Sequence, residues 1–245
     1  MLQDLSYPPE TSPEDIHAFS TELANGQVMR FENFTEDVYL NSVIAKPWGH
    51  EYRIYADMLI DVWKLMLTPN QSTSMHCHPR KETVLMCLSG VLRINFLNKT
   101  VPLQAGQYTR IPKGAFHSTD NLGSGEAHLI EVETPRNKFD LIRKEDRYGR
   151  EGTQYETQNS PQNIAPLEDD DTQAYAMIRH HDLQGLFNFD VMTGAKIKHM
   201  SQPADFAVSL ALESAILQHV HIYHHPEVDF TRLTSEGRYL VISQS

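Results

Sequence analysis

Thr83-Val84-Leu85-Met86-Cys87-Leu88-Ser89-Gly90-Val91-Leu92-Arg93-Ile94-Asn95-Phe96 decides the fold class. Two β-rich runs flank a Ser-Gly turn, and the second alternates apolar with polar, the period of a strand with one face buried. Trp63 to Leu67 and His128 to Val132 are runs of the same kind on either side. Turn clusters separate them at Thr68-Pro69-Asn70, Leu97-Asn98-Lys99 and Asn121 to Gly125. No helical pattern of about ten residues intervenes, so a βαβ architecture is excluded and an antiparallel sandwich or barrel is predicted.

Upstream, Ser12-Pro13-Glu14-Asp15 carries an N-cap serine, a proline at the first helical position and acids in the first turn. Ile16, Phe19, Leu23 and Ala24 recur at roughly helical spacing before Asn25-Gly26, which predicts one short helix. Downstream, residues 153–165 are polar, and Glu168-Asp169-Asp170-Asp171 reads as a solvated linker. Beyond it, Ala174 to Ile178, Phe187 to Val191, Ala207 to Leu212 and Tyr239 to Ser243 are strand-like. The expected organisation is an N-terminal helical arm over 1–45, a barrel over 46–150 and a β-rich C-terminal region over 151–245.

The chain has 245 residues, 40% hydrophobic and 22% charged, which suits an ordinary globular protein with a sizeable core. Its formal charge of -11 argues against nucleic acid, whose phosphates need a basic face. No apolar run reaches the ~18 residues of a membrane span. The first 25 residues lack the pattern of a signal peptide, so a cytoplasmic location is expected. Cys77 and Cys87 are the only cysteines, too few for a disulfide framework, and both read as buried small apolar residues.

Chemistry concentrates in two segments. On a strand His76 and His78 face one way and Cys77 the other, and Glu82 keeps the histidines' parity if the strand runs on past Pro79. Two imidazoles and a carboxylate on one face suit a divalent transition metal, although His-X-His by itself does not specify one. Further on, Gly106, Pro112 and Gly114 shape a turn ahead of His117 and Asn121. If neighbouring strands bring His117 to the other three, four ligands converge with positions left for water or substrate.

These residues resemble the two motifs of the cupin superfamily. G-x5-P-x-G-x2-H-x3-N is matched throughout by Gly106, Pro112, Gly114, His117 and Asn121. G-x5-H-x-H-x3,4-E-x6-G keeps His76, His78 and Glu82, with Asn70 in place of the first glycine and Gly90 one residue late. The resemblance implies an all-β jelly-roll barrel holding one Mn, Zn, Fe, Co or Ni ion on His76, His78, Glu82 and His117. Lys46-Pro47-Trp48-Gly49 and Arg143 to Arg150 also resemble the segments flanking the cupin domain of type II mannose-6-phosphate isomerases.

That narrower likeness points to isomerase or epimerase chemistry on a sugar or sugar phosphate. A metal would polarise a carbonyl, and Glu131, Lys64 or His128 would move the proton. Arg110, Lys113 and Glu133 are the candidates for binding substrate, the two cations for a phosphate. An Fe(II) dioxygenase and a sugar-binding cupin without turnover are the alternatives. The C-terminal His219, His221, His224, His225 and Glu227 echo the first motif without a second, so a degenerate second cupin or an added sheet is expected there. A homodimer covering the open barrel edge and Trp48 is the expected assembly.

Overall fold

The computed structural model describes residues 10–28, 39, 41–150, 159–160, 166–170, 176–199, 207–212, 222–224 and 233–245. The structure is mostly β, with two helices among the described residues. Helix α1 spans Pro13–Ala24. The strands that follow are β1 Val43–Lys46, β2 Gly49–Ala56, β3 Asp61–Leu67, β4 Met75–Cys77, β5 Glu82–Ser89 and β6 Val91–Phe96. Next come β7 Thr100–Gln104, β8 Tyr108–Ile111, β9 His117–Asn121, β10 Ala127–Thr134 and β11 Ile142–Glu145. Short strands β12 Asn159–Ser160, β13 Glu168–Asp169 and β14 Met177–Ile178 precede β15 Phe187–Thr193 and helix α2 Gly194–Lys198. The chain then forms β16 Ala207–Ala211, β17 Ile222–His224 and β18 Arg238–Gln244. No described helix is long and apolar enough to cross a membrane.

Among the described residues all the pairings are antiparallel, and they build three sheets. The first has the order β12-β1-β2-β3-β10-β5-β8, with β13 and β14 joined to β2; the second runs β11-β4-β9-β6-β7; the third runs β15-β18-β16-β17. Trp63, Leu65, Leu67, Leu85 and Leu129 of the first sheet meet Leu92, Ile94 and Leu103 of the second, which makes the barrel core. The intervening residues Val84, Met86, Ile130 and Val132 point the other way, against Phe187, Phe189, Leu240 and Ile242 of the third sheet. Burial of each such side chain contributes about 1.5–3 kcal/mol. The first sheet is therefore covered on both faces. This explains why Trp63 to Leu67 reads as an unbroken apolar run apart from Lys64, and why β3 is buried along its whole length.

Gly49 lets β2 lie close on β3, since a Cβ there would sit 1.9 Å from the Met66 carbonyl oxygen. The cap of α1 is as expected: Ser12 Oγ accepts from the Asp15 N–H and Asp15 Oδ2 accepts from the Ser12 N–H. Ile16 is 60% exposed, whereas Asp15 and Ala18 are buried. Polar contacts to the barrel set the rotation of the helix: the Phe116 N–H donates to Asp15 Oδ1 at 2.8 Å, ahead of His117. The acidic run contributes the exposed pair Glu168–Asp169 to β13, and Asp170 pairs with Arg238. Helix α2, capped by Thr193 Oγ1, was not foreseen, being only one turn long.

Candidate metal centre

His76 and His117 are direct cross-strand partners on β4 and β9. His78 follows just past the end of β4, and its carbonyl accepts from the Gly114 N–H at 2.8 Å. Gly114 has φ 76°, so a side chain there would strain the turn that joins the two histidine segments. The rings lie 4.5 Å (His76–His117), 4.9 Å (His76–His78) and 5.4 Å (His78–His117) apart between centroids.

Each Nδ1 is tied to a backbone carbonyl: His76 to Ser74 at 2.8 Å, His78 to Asp140 at 2.7 Å and His117 to Ala115 at 3.1 Å. A carbonyl only accepts, so Nδ1 carries the proton and the Nε2 lone pair is left for another partner. Nε2 of His78 and of His117 is buried with no hydrogen-bond partner. Burial lowers all three imidazole pKa values, reinforced by His117 beside His76 and by Lys81 beside His78, so the rings are neutral. Neutral rings with Nδ1 anchored and buried lone pairs converging are what a transition metal requires. The donor set fits such an ion.

Glu82 is not brought to this centre. It belongs to neither metal-competent cluster and does not line the cavity. The parity argument fails because β4 and β5 lie in different sheets, and the bend at Pro79-Arg80 resets the phase between them. Lys81 points in instead, on the same face as Leu85. Asp140 holds that bend: its carboxylate accepts from the Arg80 N–H at 2.8 Å and Nε at 2.7 Å, and from the Lys81 N–H at 3.1 Å. Its carbonyl orients His78.

The carboxylates at the centre are Glu131 and Glu133 on β10. Their oxygens lie with a ring nitrogen of His78 in a cluster whose ligand atoms are all within 4.8 Å of one another. Lys138 Nζ stands 2.9 Å from Glu131, 3.5 Å from Glu51 and 3.9 Å from Glu133, 4.3 Å from the centre of the Trp63 ring. Lys81 pairs with Glu133. Burial alone would raise Glu131, but Lys138 and Lys81 outweigh it and hold that carboxyl below its usual range. For Glu133 burial prevails over the same lysines and pushes it up to about 7. Burial opposes the charge on Lys138, yet the surrounding carboxylates raise its pKa well above that of a free lysine.

Lys64, His128, Arg110 and Lys113 are elsewhere. Lys64 pairs across the sheet with Ile130 rather than with Glu131, which turns it to the face opposite the histidines. There its Nζ meets Asp182 at 2.7 Å, Gln184 at 3.0 Å and His128 Nδ1 at 3.0 Å, between the barrel and the third sheet. Arg110 lies over Tyr108, opposite Val84, whose side chain joins the core outside the barrel. Lys113 is exposed at the turn, where its carbonyl accepts from Thr11. Strand parity, unreadable from one sequence, separates these residues from the centre. Asn121 clamps a loop, donating from Nδ2 to the Leu67 and Gly125 carbonyls at 2.9 Å each. Cys77 and Cys87 are buried as expected, and burial raises both thiol pKa values. His219, His221, His225, Glu227 and the side chain of His224 lie outside the described residues.

The cavity has a volume of about 60 Å³, room for an ion with water beside it. Its wall includes Trp48, Leu65, Leu85 and Leu141. His78, His117 and Glu133 are buried while Thr73, His76, Leu141 and Arg150 are half-buried, so the cavity opens on the side of the latter. Lys81, Lys138, Asp140 and Arg143 escaped the sequence reading as site residues. Lys138 and Asp140 sit in a loop after β10 that has no period to betray where its side chains point.

Residues 63–133 match the cupin domain family. The first 127-residue match among curated proteins is a mannose-1-phosphate guanylyltransferase of Escherichia coli O157:H7, 28% identical over 51% of this chain and 26% of the relative. The chain thus spans about a quarter of that relative's length. Similar solved structures include an oxalate decarboxylase of Lactobacillus farciminis, at 21% identity and TM-score 0.37 over 41% of this chain and 32% of that one. Another is a cupin-superfamily sugar phosphate isomerase of Silicibacter pomeroyi, at 15% identity and TM-score 0.33 over 45% and 70%.

Proposed function

We propose that the cupin domain at residues 63–133 holds one divalent transition metal on His76, His78 and His117 and isomerises or epimerises a sugar or sugar phosphate. The observation that carries the reading is the pair of buried Nε2 atoms without hydrogen-bond partners, on rings whose Nδ1 atoms are already anchored. A bound ion would supply Lewis-acid polarisation of a carbonyl and the hydroxyl beside it.

The chain's own residues supply the rest. Glu131 or Glu133, whose oxygens gather with a ring nitrogen of His78, would take the proton from the carbon next to that carbonyl and return it to the neighbouring carbon. The step moves one proton between the two carbons and one from the hydroxyl to the carbonyl oxygen, with no net change in electrons, so it needs no further reactant. Lys138 and Lys81 fix the carboxylate positions and offset negative charge that develops on the sugar oxygens. Trp48, Leu65 and Leu85 keep bulk water from the exchanging proton.

The test is elemental analysis of protein purified without added metal, followed by anaerobic incubation of aldose phosphates in D2O with NMR detection of ketose and of deuterium at the exchanging carbon. Manganese, zinc, cobalt or nickel with deuterium incorporation is the expected result. Iron with substrate-dependent oxygen uptake would replace this reading by the dioxygenase one. Tight sugar binding with neither exchange nor turnover would leave a binding module.

A further inference from the structure

Helix α1 and its flanks lie outside residues 63–133, the part that matches the cupin family, yet their side chains reach backbone beside the histidines. The apolar hold of the helix on the barrel is small. Ala18 is buried and Phe19 half-buried with Cys77, Phe116 and Ile142, whereas Ile16 and Leu23 are exposed. Polar contacts therefore fix where the helix sits. Thr11 Oγ1 donates to the Lys113 carbonyl in the turn before His117. At the other end the Gln27 carboxamide accepts from the Arg143 N–H at 2.9 Å and donates to the Arg143 carbonyl. It covers the edge of β11 as a further strand would, directly behind His76, the cross-strand partner of Arg143.

Asp15 makes the most direct of these connections. It is buried, and its two carboxylate oxygens have separate tasks. Oδ2 accepts from the Ser12 N–H at 3.0 Å and from the Ser12 hydroxyl at 2.7 Å, which closes the helix cap. Oδ1 accepts from the Phe116 N–H at 2.8 Å. That N–H belongs to the same peptide unit as the Ala115 carbonyl, which accepts from His117 Nδ1 at 3.1 Å. A carboxylate on one side of a peptide plane thus holds an imidazole on the other. Hydrogen bonds in series polarise one another, so the charge of Asp15 makes the carbonyl a stronger acceptor and the ring a better electron-pair donor. The atom that gains is Nε2 of His117, buried and without a hydrogen-bond partner.

We propose that Asp15 is a positioning residue for the metal centre, fixing the Ala115–Phe116 peptide and through it the His117 ring, with α1 as the splint that carries it. This rests on the metal reading of the three histidines. A purely structural Asp15 would serve the cap alone. The two roles are separable because the cap uses Oδ2 and the peptide uses Oδ1.

The experiment is cobalt(II) titration of the full chain against a competing chelator, read by the visible bands of the bound ion. The parent is compared with Asp15→Ala, Asp15→Asn and Ser12→Ala, and circular dichroism checks the fold of each. Asp15→Ala should weaken cobalt binding about tenfold, the lower end for a group outside the ligand shell, and shift the bands. Asp15→Asn keeps an oxygen for the Phe116 N–H without the charge and should recover part of the loss. Ser12→Ala disturbs the cap but leaves Oδ1 in place, so its affinity should stay within about twofold of the parent. On the metal-free proteins, nitrogen-15 NMR reads the His117 tautomer and amide exchange reads the Phe116 N–H. Asp15→Ala should lower the share of His117 protonated at Nδ1 and speed Phe116 exchange at least about tenfold. Parent-like affinity in Asp15→Ala, or equal losses in Asp15→Ala and Ser12→Ala, would overturn the inference. Parent protein that takes up no cobalt would refute the metal reading instead. The metal-free measurements then decide the role of Asp15: a tautomer and an exchange rate unmoved by Asp15→Ala overturn it, and the expected changes support it.

Discussion

Lys64→Met replaces a cation that no solvent reaches by an apolar chain of similar length. Lys64 and Asp182 are both 0% exposed, 2.7 Å apart, with Gln184 Oε1 and His128 Nδ1 each 3.0 Å from the ammonium. Removing one partner of such a pair costs about 3–5 kcal/mol, because the other charge stays buried. Asp182 keeps two donors, the Tyr52 hydroxyl and the Leu186 N–H at 3.2 Å, so the lower end of that range, about 3 kcal/mol, is expected. For a chain of this size that lowers Tm by roughly 6–12 °C. Urea unfolding should show a reduced midpoint with unchanged slope, and adding Asp182→Asn should recover at least about half of the loss by removing the stranded charge. Metal content should not change, since the histidines sit across the sheet. A loss below about 1 kcal/mol would refute the buried-pair argument. A stable, fully metallated Lys64→Met protein without turnover would return Lys64 to the catalytic role suggested by sequence.

The pH dependence follows from the same cluster. His50 and His128 are lowered from 6.5 to about 4 by burial first and then by the Lys64 charge, so they stay neutral in the fold. The unfolded chain takes up protons below about 6.5 and the folded one does not, so stability is full above that pH and falls as pH drops toward 4. After allowance for screening the loss is on the order of 2 kcal/mol per ring, and a urea midpoint that is flat from pH 7 to 4.5 would refute it. His78→Ala should cut metal affinity by at least about tenfold, whereas Glu82→Gln should leave stoichiometry unchanged; elemental analysis showing the reverse would restore the sequence-based ligand set. Phe189→Ala should cost about 3–5 kcal/mol and still give one unfolding transition. Separate melting of barrel and third sheet, followed by calorimetry, would show that the shared core does not couple them.

The turn and strand signals around Ser89-Gly90, the capping box of α1 and the histidine spacing were legible because each depends on neighbours in sequence. His76 and His78 share a face whenever the segment is extended, and Pro112 with Gly114 makes the turn before His117 whatever surrounds it. The carboxylate of the centre was not legible in that way. Glu82 fits the motif, but its side depends on how the chain bends at Arg80, and that bend is imposed by Asp140, sixty residues on. Glu131 and Lys64 look equivalent in sequence, each a charge inside an apolar run. Only the pairing of β10 with β3 puts Glu131 opposite Trp63 inside the barrel and Lys64 opposite Ile130 outside it. The one-residue phase of a strand is worth nothing locally and everything globally, since it is settled by which face each sheet buries. Sequence thus determined the kind of elements and the presence of a histidine centre, while tertiary packing decided which charged groups stand around it.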